Sequence, residues 1–423
     1  MNKAVSIVAF TAILISGFML VGSVHFGVAQ NSTPVSGVIN SDTTWTRANS
    51  PYNLNGNVLV NSGVTLAIQA GVIINLNANY IEVNGTLVAR GTSNNRILFN
   101  NGVVDFTQFS SPWNQNSGGG NIIEYSVFSG FSKPLTISIQ GSPLLSQNDI
   151  NCLIQVSMGS PIISSNNITA LYYNAGHPSS AIYGIDIVTK NEQDSPMVSG
   201  NTISGPYEQA AIEIQAGNPI IQGNVITGSQ NGIDMTYATW TINATIENNA
   251  ISYCRQNGIA LSNSYVSTAI IQNNTITNCG INAITISGNK PSLYIAYNNF
   301  ASNSGYNLYW QNSNNLYAFN NWWGTTDIQA INQTIYDFKN DFNLGTVTFI
   351  PYLNAPNPEA PTVPIPTATP TPNPSPSPSP ISSLSSTPSP SIPEFPSWIT
   401  LPILTATLLS VALIRRKVTK KQK

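Results

Sequence analysis

Three acidic residues stand at equivalent places in three short segments of this 423-residue sequence. Asp186 lies in GIDI, Glu213 in AIEI and Asp234 in GIDM, each flanked by apolar residues. This alternation predicts strands whose apolar side chains point inward and whose acids point outward, in one column with a rung every ~4.8 Å. Such a column could bind Ca²⁺ through its carboxylate oxygens or share a proton for acid and base catalysis. The alternative is a solvated outer face.

Other residues that could take part in chemistry lie near these acids in the sequence. The segments LYYNAGHPSSAIY and TKNEQD flank the strand of Asp186 and contain His177 and Lys190. Loops on a rigid scaffold often bind ligands, so His177 joins the three acids as a binding candidate. Lys190 and Arg255 join them as catalytic candidates of a polysaccharide lyase or glycoside hydrolase. Carboxyl groups on neighbouring rungs fit only the ~5 Å spacing of retaining glycosidases, and no second motif indicates either enzyme class.

An asparagine recurs along the central sequence and indicates the elements that position the acids. It occupies positions 148, 166, 201, 224, 249, 274, 298 and 321, mostly 23 to 25 residues apart. A period of this length predicts a solenoid whose neighbouring coils bury each other's apolar side chains. Apolar residues precede and follow each asparagine, as Ile221 and Ile226 do around Asn224. We expect the asparagine at a corner, with left-handed backbone geometry and an amide bonded to the next coil.

The N-terminal stretch NVLVNSGVTLAIQAGVIINLNANYIEV and the closing NNWWGTTD and GTVTFIPYL extend this pattern. Together, roughly residues 37 to 353 resemble right-handed parallel β-helix repeat proteins, in the pectin-lyase-like class that includes the NosD-type β-helix. The resemblance implies an all-β, right-handed parallel β-helix solenoid of about 11 or 12 coils. It implies no single activity, because such scaffolds carry lyases, hydrolases, adhesins and structural walls.

The NosD resemblance also implies a copper-related role as a further alternative. Copper needs soft or imidazole ligands. After the N-terminal segment the chain offers His177, Met158, Met197, Met235 and three cysteines, all scattered along the sequence. Met197 and Met235 occupy positions predicted to face the core. This distribution does not favour copper.

Two pairs of residues predict specific structural features. Trp322 and Trp323 break the coil pattern and are expected to cap the solenoid within residues 322–353, with sugar stacking as the alternative. Thr326 or Asp327 is expected to cap a short helix there. Cys254 and Cys279 each lie five residues after a repeat asparagine, so they should stack within disulfide distance. The alternative is a stacked pair of reduced thiols, and in either case Cys152 would stay free.

The two ends of the chain predict export and anchoring. Residues 1–29 read as a signal peptide, followed by an ectodomain at 30–353 and a Pro/Ser/Thr-rich linker at 354–397. The apolar run 398–414 is a predicted transmembrane helix, and the basic tail 415–423 is expected in the cytoplasm. The segment PEFPSW before the apolar run resembles archaeal PEF-type sorting signals, which implies cleavage by a sorting protease. A permanent membrane anchor is the alternative.

Charge and composition narrow the partners. Residues 30–397 contain 17 acidic and 8 basic residues, a net charge of −9, which disfavours nucleic acid. We therefore expect a cell-surface protein with a structural or adhesive role that recognises polysaccharide or cell-envelope glycan, with an enzyme as the alternative. Sequons make candidate glycosylation sites of Asn31, Asn84, Asn167, Asn243, Asn273 and Asn332.

Overall fold

The computed structural model describes residues 32–129, 136–169, 182–189, 191, 193–262, 265–288 and 292–363. These residues form parallel sheets with one strand per coil, which confirms the predicted all-β parallel solenoid. The predicted signal peptide, the linker from residue 364, the apolar run 398–414 and the basic tail lie outside the described residues. His177, Lys190 and Asn31 also lie outside them. Within the described ranges, every helix is too short or too polar to span a bilayer.

Sheet 1 carries the acidic residues. Its strands pair in parallel from each coil to the next along the whole solenoid. They are Thr33–Ile39, Tyr52–Val60, Tyr80–Val83, Val103–Phe106, Thr136–Ile139, Leu153–Val156, Tyr183–Val188, Ala210–Ala216, Asn231–Asp234, Ile259–Leu261, Ile284–Ser287, Leu308–Gln311 and Ile335–Tyr336.

Sheets 2 and 3 form the other faces of the solenoid. Sheet 2 has 11 strands. They are Thr43–Trp45, Thr65–Ile68, Thr86–Arg90, Ile122–Glu124, Leu144–Ser146, Ile162–Ser164, Met197–Ser199, Ile220–Gln222, Ile242–Glu247, Val266–Gln272 and Ser292–Ala296. Sheet 3 joins sheet 1 through Tyr52–Val60 and contains Ile73–Asn75, Ile97–Asn100, Ser126–Ser129, Asp149–Ile150, Asn167–Thr169, Thr202–Ser204, Val225–Thr227, Ala250–Ser252, Thr275–Thr277 and Asn299–Ala301.

The core is a stack of apolar side chains that point into the solenoid from all three sheets. Strand residues alternate between buried and less buried positions, as in Leu153–Val156. Aromatic residues stack in the same way, and the rings of Phe99 and Phe128 lie 4.8 Å apart on adjacent coils. Each buried aliphatic side chain contributes about 1.5–3 kcal/mol. Adjacent coils supply most of that burial, so stability depends on stacking.

The repeat asparagines form one continuous ladder, as predicted. All eight are buried. From Asn166 onward, the Oδ1 of each asparagine accepts two hydrogen bonds of 2.9–3.0 Å from the asparagine one coil earlier, one from its backbone N–H and one from its Nδ2. The predicted backbone geometry was wrong by one residue. The left-handed position precedes the ladder asparagine, as at Ser165 (φ 56°), Gly223 (φ 64°) and Asn248 (φ 56°). The ladder asparagine follows directly, at the corner between two strands.

Trp323 closes the C-terminal end of the core. Its side chain is buried, and its ring lies 5.1 Å from that of Phe300 and 6.1 Å from that of Phe349. The short helix Ile328–Gln333 follows, and Asp327 is its N-cap, since Oδ1 accepts the N–H groups of Gln329 and Ala330. A two-stranded sheet of Leu316–Tyr317 and Val347–Thr348 completes this end, and a 3₁₀ helix at Arg47–Asn49 lies near the other. Trp323 therefore caps the core and is too buried to stack on a sugar.

The residues after this cap pack against the coils. Asn357 is buried, and its backbone and side chain bond to Asn299, to the carbonyl of Tyr297 and to the side chain of Asn273. Residues 354–363 were predicted to begin the linker. In the structure they belong to the solenoid surface, because an asparagine there meets three unfilled hydrogen-bonding groups at a corner.

Cys254 and Cys279 are buried, free thiols on successive coils. The N–H of Gly280, the residue after Cys279, donates to the carbonyl of Cys254 at 2.8 Å. The two cysteines therefore lie at equivalent places on adjacent coils, as the repeat predicts. The hydrogen bond with Cys254, with burial, raises the pKa of the Cys279 thiol. The disulfide stays a prediction for the exported chain, and Cys152 is also buried and free.

Candidate functional site

A single outward column of sheet 1 holds all three acidic candidates. Asp186 pairs with Glu213, and Glu213 pairs with Asp234. The residues on either side of each acid belong to the core, as Ile185 and Ile187 do around Asp186. The alternation GIDI, AIEI and GIDM is therefore what places three carboxyl groups on neighbouring rungs.

The interpretation of this column as a solvated face is wrong. Asp186 is 5%, Glu213 0% and Asp234 2% exposed. The alternation of the strand sets the direction of each acid but does not encode whether it is buried. A buried carboxyl group needs a hydrogen-bond partner, a counter-charge or a proton.

Two of the acids have hydrogen-bond donors. Asp186 accepts from Nε2 of Gln215 at 3.0 Å and from Nε2 of Gln155 at 3.5 Å, and both glutamines lie on sheet 1. Asp234 accepts from Nδ2 of Asn231 at 2.7 Å and from the N–H of Thr236 at 2.8 Å. Burial raises the pKa of both acids, and these hydrogen bonds partly oppose the rise.

Glu213 has neither a hydrogen-bond donor nor a counter-charge among the described residues. Both of its carboxyl oxygens are buried and have no hydrogen-bond partner in the described part of the chain. Burial, and then the charges of Asp234 and Asp186, raise the pKa of Glu213 to about 9. At neutral pH its carboxyl group is therefore protonated, and it lies between two acids that are better stabilised as carboxylates.

Tyrosine side chains complete the surroundings of the acids. Burial, followed by the charges of Glu213, Asp186 and Asp234, raises the pKa of Tyr183. Tyr237 acts on Tyr183 as well and is largely exposed. The charges of the acids therefore oppose ionisation of the Tyr183 phenol. Among the described residues, no three His, Cys, Asp or Glu side chains are grouped so as to hold a metal ion, and Ca²⁺ at the three acids stays a prediction.

The remaining candidates are spread over the surface. Arg255 is exposed, and its Nη2 donates to the carbonyl of Tyr207 at 2.6 Å; it is not among the groups that shift the pKa of Glu213. Asn167 and Asn243 are exposed, Asn84 and Asn273 are half-buried, and Asn332 lies in the cap helix. Met235 is buried as predicted, but Met197 faces outward from sheet 2, because Val198 takes the inward position.

The column continues beyond the acids to a group of tyrosines that the sequence patterns did not single out. Asp234 pairs with Ala260, Ala260 with Thr285, Thr285 with Tyr309, and Tyr309 with Tyr336. The rings of Tyr309 and Tyr336 stack at 4.5 Å, and Tyr306 lies 5.3 Å from Tyr336 and 5.8 Å from Tyr309. We call these three residues the tyrosine platform. The signal was present, since Tyr309 stands 24 residues after Thr285, one repeat further along.

A row of asparagines runs beside the column between the acids and the platform. Asn257 donates from Nδ2 to Asn231 at 3.0 Å, and its Oδ1 accepts from the Thr285 hydroxyl at 2.8 Å. Nδ2 of Asn282 donates to the same hydroxyl at 2.9 Å. Hydrogen-bonded polar groups therefore run beside the column from Asp234 to Thr285, whose neighbour on the next rung is Tyr309.

The geometry defines a class of protein, a parallel β-helix whose outer face carries acids, amides and tyrosines in one line. Residues 93–291 and 183–343 match the family model described as the right handed beta helix region. These matches together span more than half of the chain, so the chain belongs to the right-handed β-helix family. The comparisons with curated proteins and with solved structures found no match.

Proposed function

We propose that this protein binds glycans along the outward column of sheet 1. The observation that carries the proposal is the order of groups on that column, from three acids through hydroxyl and amide groups to the tyrosine platform. Sugars present hydroxyl groups around the ring edge and apolar C–H groups on the ring face. Both kinds of complementary group are present on one line.

The tyrosine platform supplies the apolar contact. Tyrosine has a flat apolar body and a polar tip, which suits a surface that is half wet. All three tyrosines are partly exposed. A pyranose ring can lie on Tyr309 or Tyr336 while its hydroxyl groups reach the neighbouring phenols.

The register of the column supports an extended ligand. Asp234 and Tyr309 are separated by three rungs of the column, which is ~14 Å at ~4.8 Å per rung. A single sugar ring is too short to contact both ends. The proposed ligand is therefore an oligosaccharide or polysaccharide that lies parallel to the solenoid axis.

Binding of oligosaccharides to the purified full-length chain tests this function. A glycan array followed by calorimetry should identify ligands, and Tyr309→Ala should weaken binding by about 10-fold or more, as loss of an aromatic anchor does. The matched control is Tyr317→Ala, because Tyr317 is exposed on the separate two-stranded sheet. Equal affinity of both variants, or no ligand on the array, would refute the proposal.

A glycoside hydrolase is the second candidate. The observation that favours it is a protonated Glu213 flanked by two aspartates on adjacent rungs, as a general acid and a nucleophile would require. The full burial of Glu213 opposes it, because a scissile bond must reach the acid. Reducing ends released from an array ligand, and lost in Glu213→Gln, would establish hydrolysis in place of simple binding.

A further inference from the structure

We infer that one corner of the solenoid is a binding site for Pro-Asn-Pro segments, and that two segments of this chain compete for it. Asn273, Tyr297 and Asn299 form this site, which we call the Asn299 corner, and residues 356–358 occupy it. The competing segment is the second Pro-Asn-Pro of the chain, at residues 372–374 in the linker. This inference is independent of the proposed glycan binding.

The contacts of Asn357 are the first observation. Its N–H donates to Oδ1 of Asn299 at 2.7 Å, and its carbonyl accepts from Nδ2 of Asn299 at 3.0 Å. Its own Nδ2 donates to the carbonyl of Tyr297 at 2.7 Å and to Oδ1 of Asn273 at 3.0 Å. The corner therefore recognises both the main chain and the side chain of one residue. An aspartate in this place could not donate to either acceptor.

The two prolines of the bound segment act through the backbone. Pro356 and Pro358 are exposed, whereas Asn357 between them is buried. A proline fixes its own φ and holds the residue before it in an extended conformation. Oδ1 of Asn357 also accepts the N–H of Glu359 at 3.1 Å, in a local turn that asparagine favours. The motif is therefore ordered before it binds, which lowers the entropy lost on docking.

The second observation is that this motif recurs once in the sequence. Residues 356–358 and 372–374 are the two places where an asparagine lies between two prolines. Ser375 stands where Glu359 does and can supply the same N–H. Pro376 replaces Ala360, whose N–H donates within the first motif at 3.3 Å, so that one bond is lost. The second motif can still form every hydrogen bond with the Asn299 corner.

Chain length decides which motif occupies the corner. The N–H of Leu353 donates to the carbonyl of Asn321 and holds the chain just before the first motif. From Leu353 the chain reaches Asn357 in four residues and Asn373 in twenty. Loop closure costs more for the longer segment and favours the first motif by about 10-fold. Exchange of the two would shorten the free linker by 16 residues, which is ~50 Å at ~3.1 Å per residue.

Hydrogen exchange of the full-length chain tests the competition. In the wild type we expect slow exchange at the amide of Asn357 and fast exchange at that of Asn373. Asn357→Asp places an acceptor opposite two acceptors, so the second motif should dock and its Asn373 amide should exchange about 5-fold more slowly or better. The neighbours of Asn373 are prolines without N–H groups, so its signal is isolated. Asn354→Ala changes an exposed residue of the same segment and should keep the wild-type pattern.

A peptide tests the site itself. The full-length variant Asn357→Asp/Asn373→Asp lacks both motifs, so it should bind a labelled TPTPNPSPSP peptide, residues 369–378, with one peptide per chain. The same peptide with Asn373→Asp should bind about 10-fold more weakly or worse, because it loses two donors.

The corner offers a matched pair of variants for the peptide titration. Asn273→Gly removes one acceptor, and glycine suits the left-handed backbone there (φ 53°). We expect it to weaken binding of the peptide. Asn278→Gly makes the same change at an exposed left-handed residue (φ 55°) and should leave binding unchanged.

Two results overturn the binding site: no binding of the peptide, or equal binding of the peptide and its aspartate form. An Asn373 amide that exchanges equally fast in the wild type and in Asn357→Asp overturns the competition. Protection of Asn373 that disappears on dilution also overturns it, because the second motif would then dock on another copy of the chain.

Discussion

At the residue scale, Glu213 differs from an ordinary strand acid in its surroundings alone. The sequence AIEI differs little from GIDI and GIDM, yet Asp186 and Asp234 accept hydrogen bonds, whereas Glu213 accepts none from the residues that the structure describes. Burial without a donor favours the neutral form of the acid. The free energy of unfolding should therefore depend on pH through the titration of Glu213.

The first stability prediction follows from that pKa. An unfolded glutamate titrates near 4.3, and folding raises the pKa of Glu213 to about 9. The stabilisation from its bound proton is complete below about pH 4 and is lost as the pH rises toward 9. Burial also raises the pKa values of Asp186 and Asp234, so these two acids too lose stabilisation as the pH rises.

We expect the Tm of the wild type to fall steadily between pH 5 and pH 9. Glu213→Gln should flatten the upper part of this curve, because Gln does not ionise. Thermal melts followed by circular dichroism at each pH measure the effect, and Glu82→Gln serves as the control. Parallel curves for the wild type and Glu213→Gln would show that Glu213 is not protonated in the folded state.

The sequence predicted the position of the acids and missed what surrounds them. Period-two alternation and the repeat were sufficient to align Asp186, Glu213 and Asp234. Their burial could not be predicted, because the alternation says which way a side chain points and not whether other groups cover it. Tyr309 was missed because LYW reads as a run of core aromatics, while the register places Leu308 and Trp310 inside and leaves Tyr309 outside.

At the element scale, the asparagine ladder sets the corner between sheets 2 and 3. Asn249 shows how completely one member is used. Its Oδ1 accepts from the backbone and side chain of Asn224, and its Nδ2 donates to Ile221, Glu247 and Asn274. The spacing of asparagines was enough to predict the ladder. The left-handed backbone conformation at the position before each asparagine could not be predicted, because Ser, Gly, Gln, Tyr and Asn all occupy that position.

Asn249→Ala should therefore lower the free energy of unfolding by about 2–4 kcal/mol, because it leaves several buried groups without partners. Asn243→Ala is the control in the same coil. Asn243 is exposed, and its side chain donates one hydrogen bond, to Asn218, within the described part of the chain. Removal of this side chain should therefore cost about 0.5 kcal/mol or less. Urea unfolding of both variants provides the comparison. A similar small loss in each would mean that the ladder adds little to stability.

At the scale of the whole molecule, the solenoid is a one-dimensional stack with a closed C-terminal end. Trp323 covers the last core layer, and Asn357, which follows the cap in sequence, packs back against the coils of Asn273 and Asn299. Export and membrane attachment are proposals for the rest of the chain, supported by the apolar run, the basic tail and PEFPSW.

Mass spectrometry of the protein from native membranes tests that proposal. We expect a mature N-terminus near residue 30 and either an intact basic tail or a C-terminus near Pro396. The first result means a permanent anchor, and the second means cleavage by a sorting protease. Recovery of all the protein from the medium with its tail intact would refute both modes of attachment.

The asparagine ladder has a further consequence in the direction of its bonds. Every link from Asn148 to Asn321 runs the same way, with the amide of one coil donating to the oxygen of the next. Eight amide dipoles therefore point head to tail along the axis, and each polarises its neighbour, strengthening the chain by about 10–30% per bond. The asparagine ladder therefore carries a dipole whose positive end points toward the tryptophan cap and the tyrosine platform. Duplication of a coil would lengthen this dipole without changing its direction.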